Sequence, residues 1–303
     1  MSTQSPSTGR VIAVLNHLAE RPDGYLTLAE ISAGLGLSKA TAHGLLTGLV
    51  QAGYVARHPV DKSYSLGNRL IAIGNAAIAR HLDVVRHARV EMEMLGEQAA
   101  GQCIATRRLG DEVVVIFVIG TPTGPFGATI GYRAPFAPPF GMAYAAWLPE
   151  NQLTAWLARS SLDPEHEARY REYVRVVRDR GFSLSTHGRV RERLEHLMVE
   201  LLARRSEPNA RDLLHAVTRR LAIEQGELAE LDAGRSYSIR LIGAPVFDAT
   251  GEVVMSLGLT GLPLVSGTTL RDLGYQLVII ARRLSDWLRA GTPELGEAPG
   301  TGR

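Results

Sequence analysis

The sequence predicts an α/β protein that opens with a winged helix-turn-helix, and three observations carry that expectation. Two short amphipathic helices separated by a glycine occupy residues 28–50. Two alternating segments meeting at a proline turn follow them, as a β-hairpin should. Beyond residue 83, strand-patterned and helix-patterned segments are mixed. In the first helix Leu28, Ile31 and Leu35 share a face, and Thr27 is placed to cap it. Gly36 supplies the turn. Ser38 caps the second helix, whose buried stripe reads Leu45, Leu46, Leu49 and Val50. Its opposite face presents Ala40, His43, Gly44 and Thr47, with Lys39 at the N-terminal end. Segments 54–58 and 62–66 form the hairpin around Pro59, Val60 and Asp61, and Gly67 closes it. A recognition helix of this kind enters the DNA major groove by its N-terminal residues, while the preceding helix crosses the backbone.

The remaining elements follow from periodicity. Residues 1–8 are expected to be disordered. A helix from Arg10 to Arg21 carries Val11, Val14, Leu15 and Leu18 toward the recognition unit. A connector helix starts near Leu70, and another runs from about Val84 to Ala99. Strands are expected at Gln102 to Arg107 and at Val113 to Ile119, the second buried on both faces. A third strand is expected at Thr129 to Arg133, before a proline-rich loop. Helices are expected at 141–148, 150–158 and 164–180, and two amphipathic helices at 189–224 flank Pro208. Strands return at Ile239 to Val246 and Val253 to Leu259, around the turn 248–251. The last helix covers Thr269 to Arg289, and 291–303 is a flexible tail.

Composition excludes several classes. The chain has 303 residues, 45% hydrophobic and 21% charged, enough for about two domains. A single cysteine, Cys103, excludes a disulfide framework and a cysteine-based zinc site, and a reducing cytoplasm fits best. No apolar run reaches the roughly 18 residues of a membrane helix, so no membrane partner is expected. The N-terminus lacks the basic and apolar regions of a signal peptide. Net charge is +2, with 33 Lys and Arg against 31 Asp and Glu. The first 67 residues carry only +1, so placement of charge matters more than its amount. The only two lysines, Lys39 and Lys62, both fall in the proposed DNA-reading unit.

The chain resembles the IclR family of bacterial transcriptional regulators over most of its length. The carrying residues are Leu28-Ala29-Glu30-Ile31, Gly36-Leu37-Ser38, Thr41-Ala42-His43, Gly53-Tyr54-Val55 and Tyr64-Ser65-Leu66-Gly67. In the second half they are Gly141-Met142-Ala143, Arg180-Gly181-Phe182, Ala244-Pro245-Val246-Phe247-Asp248 and Gly251-Glu252-Val253-Val254. The resemblance implies a winged helix-turn-helix over 9–67, a linker helix over 68–82, and a GAF-like α/β effector-binding domain over 83–290, to which this sequence adds a helical insertion at 189–224. It also implies homodimers or homotetramers on palindromic double-stranded operators. Three departures stand out. Gly44 replaces the arginine that follows the recognition-helix histidine, and Met142 replaces a lysine. The span from Gly181-Phe182 to Ala244-Pro245 is long, without the usual acidic residues at Ser185-Thr186-His187.

The candidate DNA contacts are Ser38, Lys39, Thr41, His43, Thr47, Arg57, Lys62 and Ser63. The cations and Thr41 suit phosphates, while His43 and Thr47 suit base edges. The bland alternative is a solvated face on an interaction module. The candidate effector contacts are Phe136, Phe140, Gly141, Met142, Ser256, Gly258 and Thr260. A helix starting at Gly141 offers free N–H groups to a carboxylate, and the resemblance places the effector against that segment. With Met142, Phe136 and Phe140 there, the expected effector is an apolar or aromatic acid; the bland alternative is ordinary core. No catalytic constellation, metal set or cofactor motif is present: the histidines are scattered and the glycine-rich run at 120–127 lacks the lysine of a P-loop. An effector-responsive DNA-binding regulator is therefore expected. The runner-up is a ligand-binding or protein-interaction module that has lost sequence-specific DNA reading, and an enzyme comes third.

Overall fold

Alternation of period 3.6 and period 2 along the chain is what a computed structural model turns into two units. It describes residues 6–19, 25–123, 127–186, 197–198, 201, 209–224 and 228–290. One unit comprises Met1–Arg80 and Glu195–Ala216, the other His81–Leu194 and Val217–Arg303.

The first unit contains α1 (Pro6–Ala19), α2 (Leu28–Gly34), α3 (Lys39–Gln51), β1 (Val55–Arg57), β2 (Tyr64–Leu66) and the start of α4 (Arg69–Arg86). Val14, Leu18, Leu26, Ile31, Leu46, Leu49, Val55 and Tyr64 form its core. Helix α1 begins at Pro6, inside the stretch expected to be disordered, because proline at the first helical position loses no hydrogen bond. Thr27 and Glu30 close a reciprocal capping box on α2, and Ser38 caps α3. The buried face of α3 is Ala42, Leu46 and Leu49, while Leu45 and Val50 are half-buried; the stripe sits slightly off the expected one. The hairpin register is Val55↔Leu66, Ala56↔Ser65 and Arg57↔Tyr64. Leu26 adds a bridge, exchanging hydrogen bonds of 2.9 and 2.7 Å with Tyr64. A single residue gives no periodic signal, so sequence reading missed it.

The second unit contains the end of α4, α5 (Arg89–Gln98), β3 (Gln102–Leu109), β4 (Glu112–Gly120), β5 (Arg133–Pro135), α6 (Met142–Ala145), α7 (Glu150–Ala158), α8 (Pro164–Arg180), β6 (Ser183–Thr186), the part of α9 (Ala210–Glu224) that follows Ala216, β7 (Ser236–Tyr237), β8 (Ile239–Phe247), β9 (Val253–Thr260), β10 (Val265–Ser266) and α10 (Gly267–Arg289). Six strands make one antiparallel sheet in the order β5-β4-β3-β9-β8-β6. Cys103, Ala105, Ile242, Ala244, Leu257 and Leu259 line its first face, in one core with Met92 and Leu95 of α5 and Leu273 and Leu277 of α10. A second core joins Phe136, Met142, Tyr144, Trp156, Tyr170 and Val177 of the α6, α7 and α8 region.

Several expectations need correction. Strand β4 is not buried on both faces: only Val114 and Val115 are buried. Its neighbour β5 pairs with Glu112, Val113 and Val114 alone, leaving residues 116–119 near the sheet edge. The third strand lies at 133–135 instead of 129–133, because Gly131, at φ +87°, turns the chain back onto Val115. The helix expected at 141–148 is a single turn. Strand β6 and the two-residue β7 and β10 carried no expectation; their short runs fall below what alternation can reveal. The first part of the 189–224 insertion, like the tails 1–5 and 291–303, lies outside the described residues apart from 197, 198 and 201. No described helix is long and apolar enough to cross a membrane.

Candidate DNA-reading face and effector face

In the first unit, Ser38, Lys39, His43 and Thr47 are exposed on α3, and Thr41 is half-buried. The Ser38 hydroxyl accepts the Thr41 N–H at 3.1 Å and lies 2.9 Å from the Thr41 hydroxyl, so these two residues chiefly fix the start of the helix. Thr47 donates to the His43 carbonyl at 2.8 Å. Arg57 projects over the Tyr64 ring, its guanidinium carbon 5.6 Å from the centroid. Lys62 takes a left-handed backbone at φ +62°, and its ammonium donates to the Pro59 carbonyl at 2.6 Å. That bond uses one of three ammonium donors.

Ser63 departs from expectation. It is 5% exposed, and its N–H and hydroxyl donate to the same Asp61 oxygen at 2.9 and 2.6 Å. Its hydroxyl shapes the wing turn instead of facing a DNA partner. These bonds, the hydroxyl foremost, hold the Asp61 carboxyl below the usual carboxylate range. Sequence reading also missed Tyr25 and His58, whose rings meet edge to face at 5.9 Å beside the wing, with His58 3.0 Å from Asp61.

In the second unit, Ser256, Gly258 and Thr260 of β9 lie in register with Thr106, Ile104 and Gln102 of β3 and with Pro245, Gly243 and Leu241 of β8. A Cβ on Gly258 would meet Leu241 at 2.7 Å and Ile104 at 3.0 Å, so neighbouring apolar atoms already occupy that place. The hydroxyls are engaged with backbone: Ser256 donates to Leu257 O at 3.1 Å and Thr260 to Arg240 O at 2.7 Å. Tyr144 donates to Thr106 O at 2.6 Å, and burial pushes its phenol well above the ordinary range.

The α6 region splits the remaining candidates. Phe136 and Met142 belong to the second core. The Phe136 ring also lies under Arg108 and Arg159, at 4.7 and 5.6 Å. Phe140 instead carries the Arg240 guanidinium 4.9 Å above its ring. Gly141, at φ +78°, comes so near Phe136 that a Cβ would sit 2.6 Å from that ring. With only four residues, α6 aligns too few peptides for the carboxylate seat expected from a longer helix. Cys103 is fully buried, which pushes its thiol up to about 12 and fits a packing role. Among the described residues no group of histidine, cysteine and acidic side chains is arranged to hold a metal.

Comparison with known proteins gives four findings. Residues 7–59 match the IclR helix-turn-helix domain. A stretch of 146 residues is 31% identical to the DNA-binding transcriptional repressor YiaJ of Escherichia coli, covering 47% of this chain and 51% of that protein. The chain thus spans about half the length of that relative. The fold is similar to that of an IclR transcriptional regulator from Alicyclobacillus acidocaldarius, with TM-score 0.64, 23% identity, and coverage of 94% of this chain and 99% of the other. It is also similar to an IclR homolog from Microbacterium hydrocarbonoxydans crystallised with 4-hydroxybenzoate, with TM-score 0.60, 16% identity, and coverage of 92% and 99%.

Proposed function

From the premise that the chain carries an IclR helix-turn-helix domain on the fold of IclR regulators, we propose that it is a cytoplasmic, DNA-binding transcriptional regulator whose operator binding responds to a small-molecule effector. The observation that carries this reading is the capped helix α3, with Lys39, His43 and Thr47 exposed beside a hairpin bearing Arg57 and Lys62. The cations hold phosphates, and His43 reads base edges. A homodimer places two such helices in successive major grooves, about 34 Å apart. Gel shifts on the DNA upstream of the protein's own reading frame test this. The expected result is a complex that unrelated competitor DNA does not displace and that His43→Ala makes indifferent to sequence. Equal retention of scrambled DNA would overturn it.

The effector is an acid with an apolar or aromatic body, held on the β9 face near Phe140. Support comes from the cation–ring pair of Arg240 and Phe140, and from a neighbour of this fold crystallised with 4-hydroxybenzoate. Phe140→Ala is expected to weaken an aromatic acid by about tenfold or more in calorimetry; unchanged affinity would remove Phe140 from the site. Gly44 favours a second reading, in which the winged helix no longer discriminates sequence, since arginine is the commonest reader of guanine. The same gel shifts separate the two.

A further inference from the structure

The second unit contains a cavity of about 120 Å³ at the sheet edge, where α8 ends and α10 passes β8. Its apolar lining includes Pro245, Phe247 and Val278, and its cations include Arg178 and Arg282. Trp147 lines it too, packing edge to face on Phe247 at 5.1 Å.

We propose that this cavity, which borders the β9 face at Pro245, the cross-strand partner of Ser256, is a second binding site for a small monocarboxylate with a compact apolar body. Each wall supplies one part of that chemistry. The Trp147 ring gives the apolar body an aromatic wall. Arg178 donates to the carbonyls of Ala146 and Leu148, which fixes its guanidinium at the rim without neutralising it. Arg178 also complements the C-terminal dipole of α8, which alone would explain it. Arg282 is different, for it stands before the last turn of α10, and among the described residues it has no salt-bridge carboxylate. Asp179 is the one acid in the lining, so the cations outnumber it. The volume approaches that of an engineered cavity that holds benzene, about 150 Å³. Indole, phenyl and proline surfaces then take the body, while the guanidinium groups of Arg178 and Arg282 take the carboxylate.

The test uses the full-length chain, benzoate as probe, and the indole N–H resonances of its three tryptophans as reporters. Benzoate is expected to move the resonance that disappears in Trp147→Phe, with a midpoint below about 10 mM. Arg282→Gln, an exposed substitution with little risk to folding, should raise that midpoint roughly tenfold or more. Benzamide and inorganic phosphate, which lack the charge and the apolar body respectively, should each need about tenfold more ligand. Arg282 is not among the β9-face candidates, so the midpoint in Arg282→Gln, and not the Trp147 response alone, distinguishes this cavity from that face. A Trp147 resonance indifferent to benzoate, a midpoint unchanged in Arg282→Gln, or equal response to benzamide or phosphate would each overturn the assignment.

Discussion

Gly67 and Gly44 are glycines for opposite reasons, and the difference is measurable. A Cβ on Gly67 would lie 2.3 Å from the Gly53 carbonyl, where the wing folds back and Gly67 N–H donates to Tyr54 O at 2.8 Å. Backbone cannot yield as a side-chain tip does, so Gly67→Ala should destabilise the protein by about 1–3 kcal/mol in chemical denaturation. Gly44 meets nothing within 4 Å and sits in the interior of α3. Gly44→Ala should therefore raise stability by about 1 kcal/mol, through helix propensity alone. If both variants lost stability, the placement of the α3 face toward open space would be wrong. Ser63 teaches the same lesson about polar residues: a serine on a wing reads as a DNA contact in sequence, yet packing turns its hydroxyl inward to Asp61.

Helix ends and hairpin turns were the most legible elements, because their signals are local. Helices α7 and α8 have the bounds that their patterning predicts, and Asp163 starts α8 by accepting the His166 N–H at 2.9 Å. What escaped depends on partners distant in sequence. The edge position of residues 116–119 is set by a three-residue β5, and Met142 is core because α7 and α8 fold over it. Of the candidate sites, the exposed face of α3 was readable from its period, whereas the Trp147 cavity joins residues more than a hundred positions apart. The turn between β8 and β9 yields a test at this level. Asp248 accepts from the Thr250 hydroxyl at 2.6 Å and from the N–H groups of Thr250 and Glu252, and these bonds hold its pKa below the ordinary 3.8. A carboxylate lowered in the folded state stabilises it above the unfolded value, and loses that contribution as pH falls through and below it. Asp248→Asn should thus flatten the fall in urea midpoint between about pH 5 and pH 3. An unchanged profile would show that the turn does not contribute to acid sensitivity.

Two units carrying two chemistries make the proposed regulator separable by mutation and linked by thermodynamics. Lys39 is exposed on the first unit, and each phosphate it releases from counterions contributes about 0.9 to the slope of log affinity against log salt. In a dimer, Lys39→Ala should lower that slope by about 1.8 while leaving effector affinity of the free protein unchanged. Phe140→Ala should do the reverse, weakening the effector and leaving the salt slope intact. The linkage appears only when both ligands are present. If an aromatic acid weakens operator affinity by some factor, the operator must weaken that acid by the same factor, a coupling commonly of about 1–3 kcal/mol. Titrating the acid into free protein and into the operator complex measures the second factor, and gel shifts with and without the acid measure the first. Equal factors are required if one conformational equilibrium serves both ligands. An acid that binds equally well with and without operator, yet abolishes the gel-shift complex, would have to act by competing for the DNA-reading face itself, and Lys39→Ala would then change its affinity.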